Sequence, residues 1–186
     1  MSQWVRGLMA EPDSGAGGGR HAPRVAWLSL DEADNDPARF LAYLVAALGR
    51  TTPGFGQSIL GALKSAQAVP WEELLTGLVN EMAALVGEDD GPSKPFVLVI
   101  DDYQLIELPP VHETLGFILE YLPHGIHLAV ATRADPPLPL PRLRVRGEIT
   151  ELRAADLRFG AEEAAVFLNQ VMGLGLIPQE VEALEA

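Results

Sequence analysis

The stretch Phe96-Val97-Leu98-Val99-Ile100-Asp101-Asp102 runs five consecutive apolar residues into two adjacent carboxylates. An unbroken apolar run of this length is typical of a strand buried on both faces, as in a parallel sheet covered by helices. Ligands of such sheets bind beyond the carboxyl ends of the strands. We therefore expect Asp101 and Asp102 at a ligand-binding edge, although such a pair can also simply start a loop or cap the next helix.

The composition indicates one folded domain. The chain has 186 residues, of which 48% are hydrophobic, and it has no cysteine. Disulfides and cysteine-based zinc sites are thereby excluded, and a reducing compartment is the easier fit. The four histidines show no ligand spacing. No apolar run reaches membrane-spanning length and the N-terminus lacks a signal-peptide pattern, so we expect a cytoplasmic protein with no membrane partner.

The charge argues against nucleic-acid binding by this segment itself. The formal net charge is −13, and a domain this acidic repels a phosphate backbone. Six of the 13 basic residues fall between Arg133 and Arg158. Aromatic residues do not alternate with them, so the stacking surface of a single-strand binder is not indicated.

Strand and helix patterns alternate along the chain. Strands are predicted at Val25–Leu30, at Phe96–Ile100, at Ile126–Thr132 and, as a short fourth strand, at Ile149–Leu152. Helices are predicted at 2–9 (the tail of a helix), 37–48, 58–66, 70–86, 109–122, 161–172 and from Pro178 onward. This order predicts an α/β fold with a parallel sheet.

Two polar segments near the N-terminus are candidates for ligand sites. The glycine cluster Gly15–Gly19 is not followed by Gly-Lys-Ser/Thr and has no strand leading into it, so a phosphate loop is not indicated. The acidic turn Asp31–Asp36 could hold a metal, but a solvated capping turn is the better interpretation. Asp36-Pro37 is a strong helix start, with Asp as N-cap and Pro at the first helical position.

The third predicted strand ends at Arg133. An arginine at this edge can contact a terminal phosphate, or it can form a surface salt bridge, and the sequence alone does not separate the two. The following segment, Asp135–Pro141, is too rich in proline for a helix or a central strand. We expect it to be an extended linker, with a polyproline ligand as the alternative.

A series of motifs resembles the nucleotide-binding domain of the large ATP-dependent LuxR-type, MalT-like transcriptional regulators, which are signal-transducing (STAND) ATPases with an AAA-like, P-loop NTPase fold. The resemblance extends over nearly the whole chain and depends on order and spacing. It is carried by residues 25–32, 35–37 with Phe40, 96–103, 131–133, and 152–159 with 162–164.

The resemblance implies a fold, cofactors and roles. The fold would be a three-layer P-loop-like parallel sheet with helices on both faces, and the cofactors would be ATP and Mg²⁺. By position, Asp101 matches the Mg²⁺-linked Asp, Asp102 the acid that polarises water, and Arg133 the sensor arginine. Partners would be the winged-helix, helical-repeat and helix-turn-helix domains of such regulators, with DNA bound only through a C-terminal domain outside this chain.

The sequence departs from the family pattern at its start. The first strand and the phosphate loop are absent from the 186 residues, so the fold is expected to be incomplete and tight ATP binding by this chain alone is not expected. The expected domains are residues 1–24 (helix tail and Gly-rich loop), 25–173 (partial NTPase-like domain) and 174–186 (start of a helical region). Loss of the first strand, predicted between Ile126–Thr132 and Ile149–Leu152, would leave unpaired edges and a marginal domain. The alternative function is a non-enzymatic fragment that docks on a full-length relative.

Overall fold

The computed structural model describes residues 23–65, 69–86 and 95–185. The predicted helix tail at 2–9 and the glycine cluster Gly15–Gly19 lie outside these residues. The chain forms two compact units, one ending at Pro139 and the other beginning at Leu140. This division falls within the proline-rich segment. The domain boundaries predicted at residues 24 and 173 stay predictions.

The first unit is built on a three-stranded parallel sheet. Its strands are β1 (Arg24–Ser29), β2 (Phe96–Asp101) and β3 (Ile126–Val130), in the order β1-β2-β3. Ser29 lies opposite Asp101, and Ile100 lies opposite Val130. The three predicted strands are confirmed, with ends shifted by no more than two residues, and the α/β class with them. Because all three strands run in one direction, their carboxyl ends share one edge.

Among the described residues, four α-helices belong to this unit: α1 (Pro37–Gly49), α2 (Gln57–Lys64), α3 (Trp71–Val86) and α4 (Pro109–Glu120). The helices α1, α3 and α4 were predicted from apolar residues on one face, and α2 was predicted as a helix across residues 58–66. The start of α1 is confirmed in detail, because the Asp36 side chain accepts a hydrogen bond from the Arg39 amide and Pro37 occupies the first turn. This cap satisfies a backbone donor that would otherwise lack a partner.

The core is packed against one face of β2. Phe96, Leu98 and Ile100 are 0% exposed, whereas Val97 and Val99 on the opposite face are half-buried. Burial on both faces of this strand was predicted and is found on one face only within the described residues. Apolar character alone does not report how completely the second face is covered.

The second unit is helical. It contains α5 (Leu140–Arg146), α6 (Ala161–Val166), a π-helical turn at Phe167–Val171 that continues α6, and α7 (Pro178–Glu185). A capping interaction begins α6, since the Glu163 carboxylate accepts from the Gly160 amide at 2.9 Å. Within the described residues, no helix of either unit is long and apolar enough to cross a membrane.

Two predictions for the region after Pro139 are wrong. Leu140 and Pro141 belong to α5 rather than to an extended linker, because proline is tolerated in the first turn of a helix. Residues 149–152 form no strand. Instead the chain turns back after α5, and Glu151 pairs with Arg144 at 2.8 Å. Four residues with two apolar side chains are too weak a strand signal to resist this local pairing.

The sheet edges also differ from expectation. In the part of the chain that the structure describes, β3 pairs with β2 on one side and with no strand on the other. The predicted gap between the third strand and a fourth is therefore replaced by an open edge at β3, and β1, which pairs only with β2 among the described strands, is the other edge strand of the sheet. An edge of this kind presents unpaired N–H and C=O groups.

Candidate functional site at the carboxyl edge of the sheet

The three residues predicted to form the site lie at one edge of the first unit. Asp101 is the last residue of β2, Asp102 follows it, and Arg133 lies three residues after the end of β3. Backbone hydrogen bonds hold the two strand ends together, from Ala131 N to Ile100 O at 2.9 Å and from Tyr103 N to Ala131 O at 3.1 Å. The parallel register therefore brings together residues that are about thirty positions apart in sequence.

Asp102 has a left-handed backbone, with φ 58° and ψ 34°. It is the one non-glycine residue with positive φ among the described residues. This conformation costs an ordinary residue about 1 kcal/mol, and aspartate tolerates it better than most because its short side chain bonds locally. Strain of this kind concentrates at functional sites, where the surrounding structure holds it in place.

A glutamine that sequence reasoning passed over connects the two strand ends. The Gln104 amide nitrogen donates to the Asp102 carboxylate at 2.9 Å, and its carbonyl oxygen accepts from the Arg133 amide at 3.3 Å. The Asp102 carboxylate can only accept and the Arg133 amide can only donate, so these two partners fix which end of the Gln104 carboxamide faces each of them. Gln104 therefore orients one oxygen of Asp102 and leaves the other for a water or a ligand.

The carboxylates suit a magnesium ion that is shared with a phosphate ligand. Asp101 and Asp102 are both half-buried, and one Asp101 oxygen accepts from the Asp102 amide at 3.0 Å. Mg²⁺ usually keeps several waters and binds through one or two carboxylates plus substrate phosphates. Within residues 23–65, 69–86 and 95–185, no group of three or more acids or histidines could hold a metal by itself. The donor set thus fits Mg²⁺ held jointly with a phosphate group.

Arg133 presents its side chain at the surface of this edge. The residue is exposed, and its guanidinium forms no salt bridge with any residue that the structure describes. The salt-bridge alternative for Arg133 is therefore not favoured. Arg133 follows β3 at the edge where Asp101 and Asp102 follow β2, and an exposed guanidinium there is able to contact an anion.

Asn35 joins the loops that surround the site. Its amide nitrogen donates to Leu105 O at 2.7 Å, and its oxygen accepts from the amides of Glu107 and Leu108 at 2.7 and 3.1 Å. These bonds connect the loop after β1 with the loop after β2. The side chain replaces backbone partners that both loops would otherwise lack.

The acidic turn at 31–36 serves as a cap, as predicted, but it is not wholly solvated. Asp31 caps a 3₁₀ turn at Glu32–Asp34. Asp34 is only 2% exposed and accepts from Arg39 Nε at 3.0 Å, a hydrogen bond that raises the pKa of Arg39. A buried carboxylate needs such a partner.

Beneath the edge, Tyr103 contacts His112. Tyr103 is 1% exposed, and its hydroxyl lies 2.9 Å from His112 Nδ1 on α4. Burial raises the pKa of Tyr103 far above its usual range and lowers the pKa of His112. Both shifts favour the neutral pair, in which the tyrosine donates to an unprotonated Nδ1.

The residues missed by sequence reasoning share a property: each acts through partners distant in sequence. Gln104 had a local signal, since it lies two positions after Asp102, but its second partner is Arg133, in the segment after β3. Asn35 was part of the motif series at 35–37 but had no assigned role, and His112 had no signal, because their hydrogen-bond partners come from other loops. Only the tertiary fold defines such contacts.

A parallel sheet whose carboxyl edge collects two aspartates, a glutamine and an arginine defines an α/β domain with a candidate anion-binding and metal-binding edge. No protein-family model matches the chain. It is 37% identical to the HTH-type transcriptional regulator MalT of Cronobacter sakazakii over 145 residues, 78% of this chain. The MalT of Yersinia enterocolitica gives the same figures, and that of Vibrio cholerae is 33% identical over 154 residues, 83% of the chain.

The chain spans only about 15–16% of the length of these relatives. It is therefore a MalT-like segment, matching one part of a much longer transcriptional regulator.

Proposed function

We propose that the chain is a nucleotide-switch segment of a MalT-like, LuxR-family transcriptional regulator of the signal-transducing ATPase class, acting in the cytoplasm. The observation that carries the proposal is the meeting of Asp101, Asp102 and Arg133 at one edge of a parallel sheet, with Gln104 hydrogen-bonded to two of them. The homology to regulators named MalT supports the same reading.

Each residue has a role in this proposal. Bound Mg²⁺ would neutralise phosphate charge, and Asp101 is the residue that would hold it. Asp102 accepts a hydrogen bond from the attacking water, with its carboxylate oriented by Gln104. Arg133 contacts the terminal phosphate and distinguishes a triphosphate from a diphosphate.

Nucleotide binding by the 186 residues alone should be weak. The sequence contains no Gly-Lys-Ser/Thr triplet, and its two lysines are Lys64 and Lys94. Backbone amides at a helix N-terminus and a phosphate-contacting lysine normally provide much of the affinity for a triphosphate. We therefore assign to this chain the acid and sensor side of the site, without efficient hydrolysis of its own.

DNA binding belongs elsewhere in such a regulator. The relatives are named HTH-type regulators, whereas this segment has a net charge of −13. A surface of that charge repels DNA. The proposed partners are the other domains of the regulator, including the region that carries its helix-turn-helix.

The test is an NMR titration of the chain with MgATP and MgADP at millimolar concentration. We expect shifts of the amides of residues 101–104 and 132–133, and larger shifts with the triphosphate. Asp101→Asn should abolish the Mg²⁺ dependence, and Arg133→Ala should remove the difference between the two nucleotides. The control is Arg50→Ala, an exposed arginine at the end of α1, which should change neither.

Shifts that are absent, or that fall outside this edge, would reject the nucleotide role. The second candidate would then be preferred: a non-enzymatic fragment that docks on a full-length relative. The open edge of β3 favours this candidate, because an unpaired strand can accept a strand from another chain. Co-purification of the chain with a larger MalT-like protein, together with no nucleotide response, would support it.

A further inference from the structure

We propose that His112 is a positioning residue for Asp102, acting through Tyr103. The inference rests on the proposed function in one respect, since Asp102 matters for chemistry only if the edge binds nucleotide. The contact itself is a property of the fold. His112 lies on α4, and the link to Asp102 passes through a single buried side chain.

The first step is the turn that starts at Asp102. The backbone leaves β2, adopts the left-handed conformation at Asp102, and enters a 3₁₀ turn at Tyr103–Leu105. Two hydrogen bonds close this turn, from Leu105 N to Asp102 O at 3.0 Å and from Ile106 N to Tyr103 O at 3.1 Å. So short a turn is insufficient to hold a strained residue by itself.

The second step is the anchor of that turn. Tyr103 is buried, and a buried hydroxyl requires a hydrogen-bond partner. His112 provides it at 2.9 Å, and the two rings meet edge to face with centroids 5.6 Å apart. The imidazole thus fixes the Tyr103 ring in two ways: its Nδ1 accepts the hydrogen bond of the tyrosine hydroxyl, and its ring packs against the tyrosine ring.

The third step is geometric. Tyr103 adjoins Asp102 in the chain, and its amide also donates to Ala131 O on the β3 side. With its side chain and its amide both held, Tyr103 leaves the Asp102 backbone little freedom. Loss of the His112 acceptor should therefore release Asp102 toward an ordinary conformation and swing its carboxylate away from Gln104.

The test uses three variants of the whole chain without nucleotide. His112→Leu removes the acceptor, His112→Gln retains one, and Tyr103→Phe removes the donor. Amide hydrogen exchange at Leu105 and Ile106 reports opening of the turn, and the Asp102 resonances report its conformation. We expect exchange to accelerate roughly fivefold to tenfold in His112→Leu and Tyr103→Phe, as for the loss of one buried hydrogen bond, and to recover in His112→Gln.

The double variant provides the decisive comparison. In the Tyr103→Phe background, His112→Leu should add less at Leu105 and Ile106 than it does in wild type, because the hydrogen bond is already gone and only the ring contact remains to be lost. The control Glu113→Leu places the same side chain at an exposed neighbouring position of α4 and should leave the turn unchanged. Equal acceleration along all of α4, or failure of His112→Gln to restore the turn, would overturn the proposal by making His112 a helix-packing residue only.

The outcome is separable from the proposed function. If nucleotide fails to bind but the turn responds as described, the positioning role of His112 stands and the nucleotide role falls. If nucleotide shifts Asp102 equally in wild type and His112→Leu, the nucleotide role stands and the positioning role falls. If His112→Leu does not fold, Tyr103→Phe carries the same test.

Discussion

The two units of the chain use apolar residues in opposite ways. The unit that ends at Pro139 buries more than half of the large hydrophobic side chains that the structure describes in it, whereas in the unit that begins at Leu140 only Ala164 and Val181 are buried hydrophobic residues among those described. The second unit instead exposes ten large hydrophobics: Val145, Leu152, Leu157, Phe159, Val166, Val171, Met172, Leu174, Ile177 and Leu184.

This difference teaches where stability resides. Burial of apolar area is the dominant favourable term in folding, so the sheet-based unit should determine the stability of the chain. The helical unit depends on capping, ion pairs and local hydrogen bonds, which each contribute little. All the tryptophans and tyrosines precede Pro139, so their fluorescence reports the first unit and amide exchange is needed for the second.

The largest expected contrast is between two leucines. Leu98 in β2 is 0% exposed and Leu157 is 59% exposed. Leu98→Ala should lower the free energy of unfolding by about 3–4 kcal/mol, because it leaves a cavity in a packed core. Leu157→Ala should change it by less than about 0.5 kcal/mol. Denaturant unfolding followed by tryptophan fluorescence tests the first, and amide exchange over 160–185 the second. Similar losses of unfolding free energy for both variants would contradict this contrast between the two units.

A second contrast uses two glycines that share a left-handed backbone. Gly56 and Gly173 both have φ of 70°. A Cβ at Gly56 would lie 2.0 Å from Val45 Cγ1, whereas one at Gly173 would have no atom within 4 Å. Gly56→Ala should cost about 3 kcal/mol from strain and overpacking together, and Gly173→Ala about 1 kcal/mol from strain alone. Thermal unfolding measures the effect of Gly56→Ala, and amide exchange measures the effect of Gly173→Ala. Equal costs would show that Val45 moves aside freely.

The third contrast compares two asparagines that join chain segments. Asn35 makes hydrogen bonds to Leu105, Glu107 and Leu108, across about seventy residues. Asn169 bonds only to Leu176, seven residues away. Asn35→Ala should cost about 2 kcal/mol and Asn169→Ala about 1 kcal/mol, since each lost bond contributes roughly 0.5–1.5 kcal/mol.

Asn35→Asp sharpens this test, because it preserves the acceptor for Glu107 and Leu108 and removes the donor to Leu105. An intermediate loss of stability is expected. If Asn35→Asp is as stable as wild type, the donated bond to Leu105 is dispensable.

The smallest effects are in the pH dependence, and the two units should respond in different ranges. Burial lowers the pKa of His112 below its ordinary 6.5 in the folded state. The unfolded chain therefore binds more protons than the folded chain as pH falls below 6.5. The contribution of neutral His112 to the free energy of unfolding is complete above that pH and is lost on acidification. Tryptophan-monitored stability between pH 7 and pH 5 should fall less in His112→Gln than in wild type.

In the second unit, the hydrogen bond from Arg144, with Arg153 nearby, lowers the pKa of Glu151 from 4.5 to about 2. A depressed acid stabilises the folded state above its unfolded pKa, and the contribution disappears as pH falls from 4.5 through about 2. Amide protection near Glu151, taken relative to the intrinsic exchange rate at each pH, should fall in that range, and Glu151→Gln should remove the dependence. Because the cluster is exposed, added salt should weaken the effect. Persistence of the full effect at high salt would contradict an exposed ion pair.

The sequence by itself determined the elements whose signals are local. These elements are the apolar run of β2, the Asp36-Pro37 helix start and the amphipathic spacing of α1, α3 and α4. All depend on neighbours within one or two turns, and each was predicted within a few residues. The placement of Asp101 and Asp102 at the carboxyl edge of the sheet followed from the apolar run of β2, because the two aspartates come directly after that run, where the strand ends.

The tertiary structure decided everything that depends on distant partners. It gave the left-handed backbone of Asp102, the hydrogen bond that joins Gln104 to Arg133 after β3, and the Tyr103–His112 contact, since spacing along the chain fixes none of these features. It also shows no strand at 149–152, where Glu151 instead pairs with Arg144 of the preceding helix. The physical reason is common to all: a local pattern sets what a segment is able to form, and the energy of long-range contacts selects what it does form.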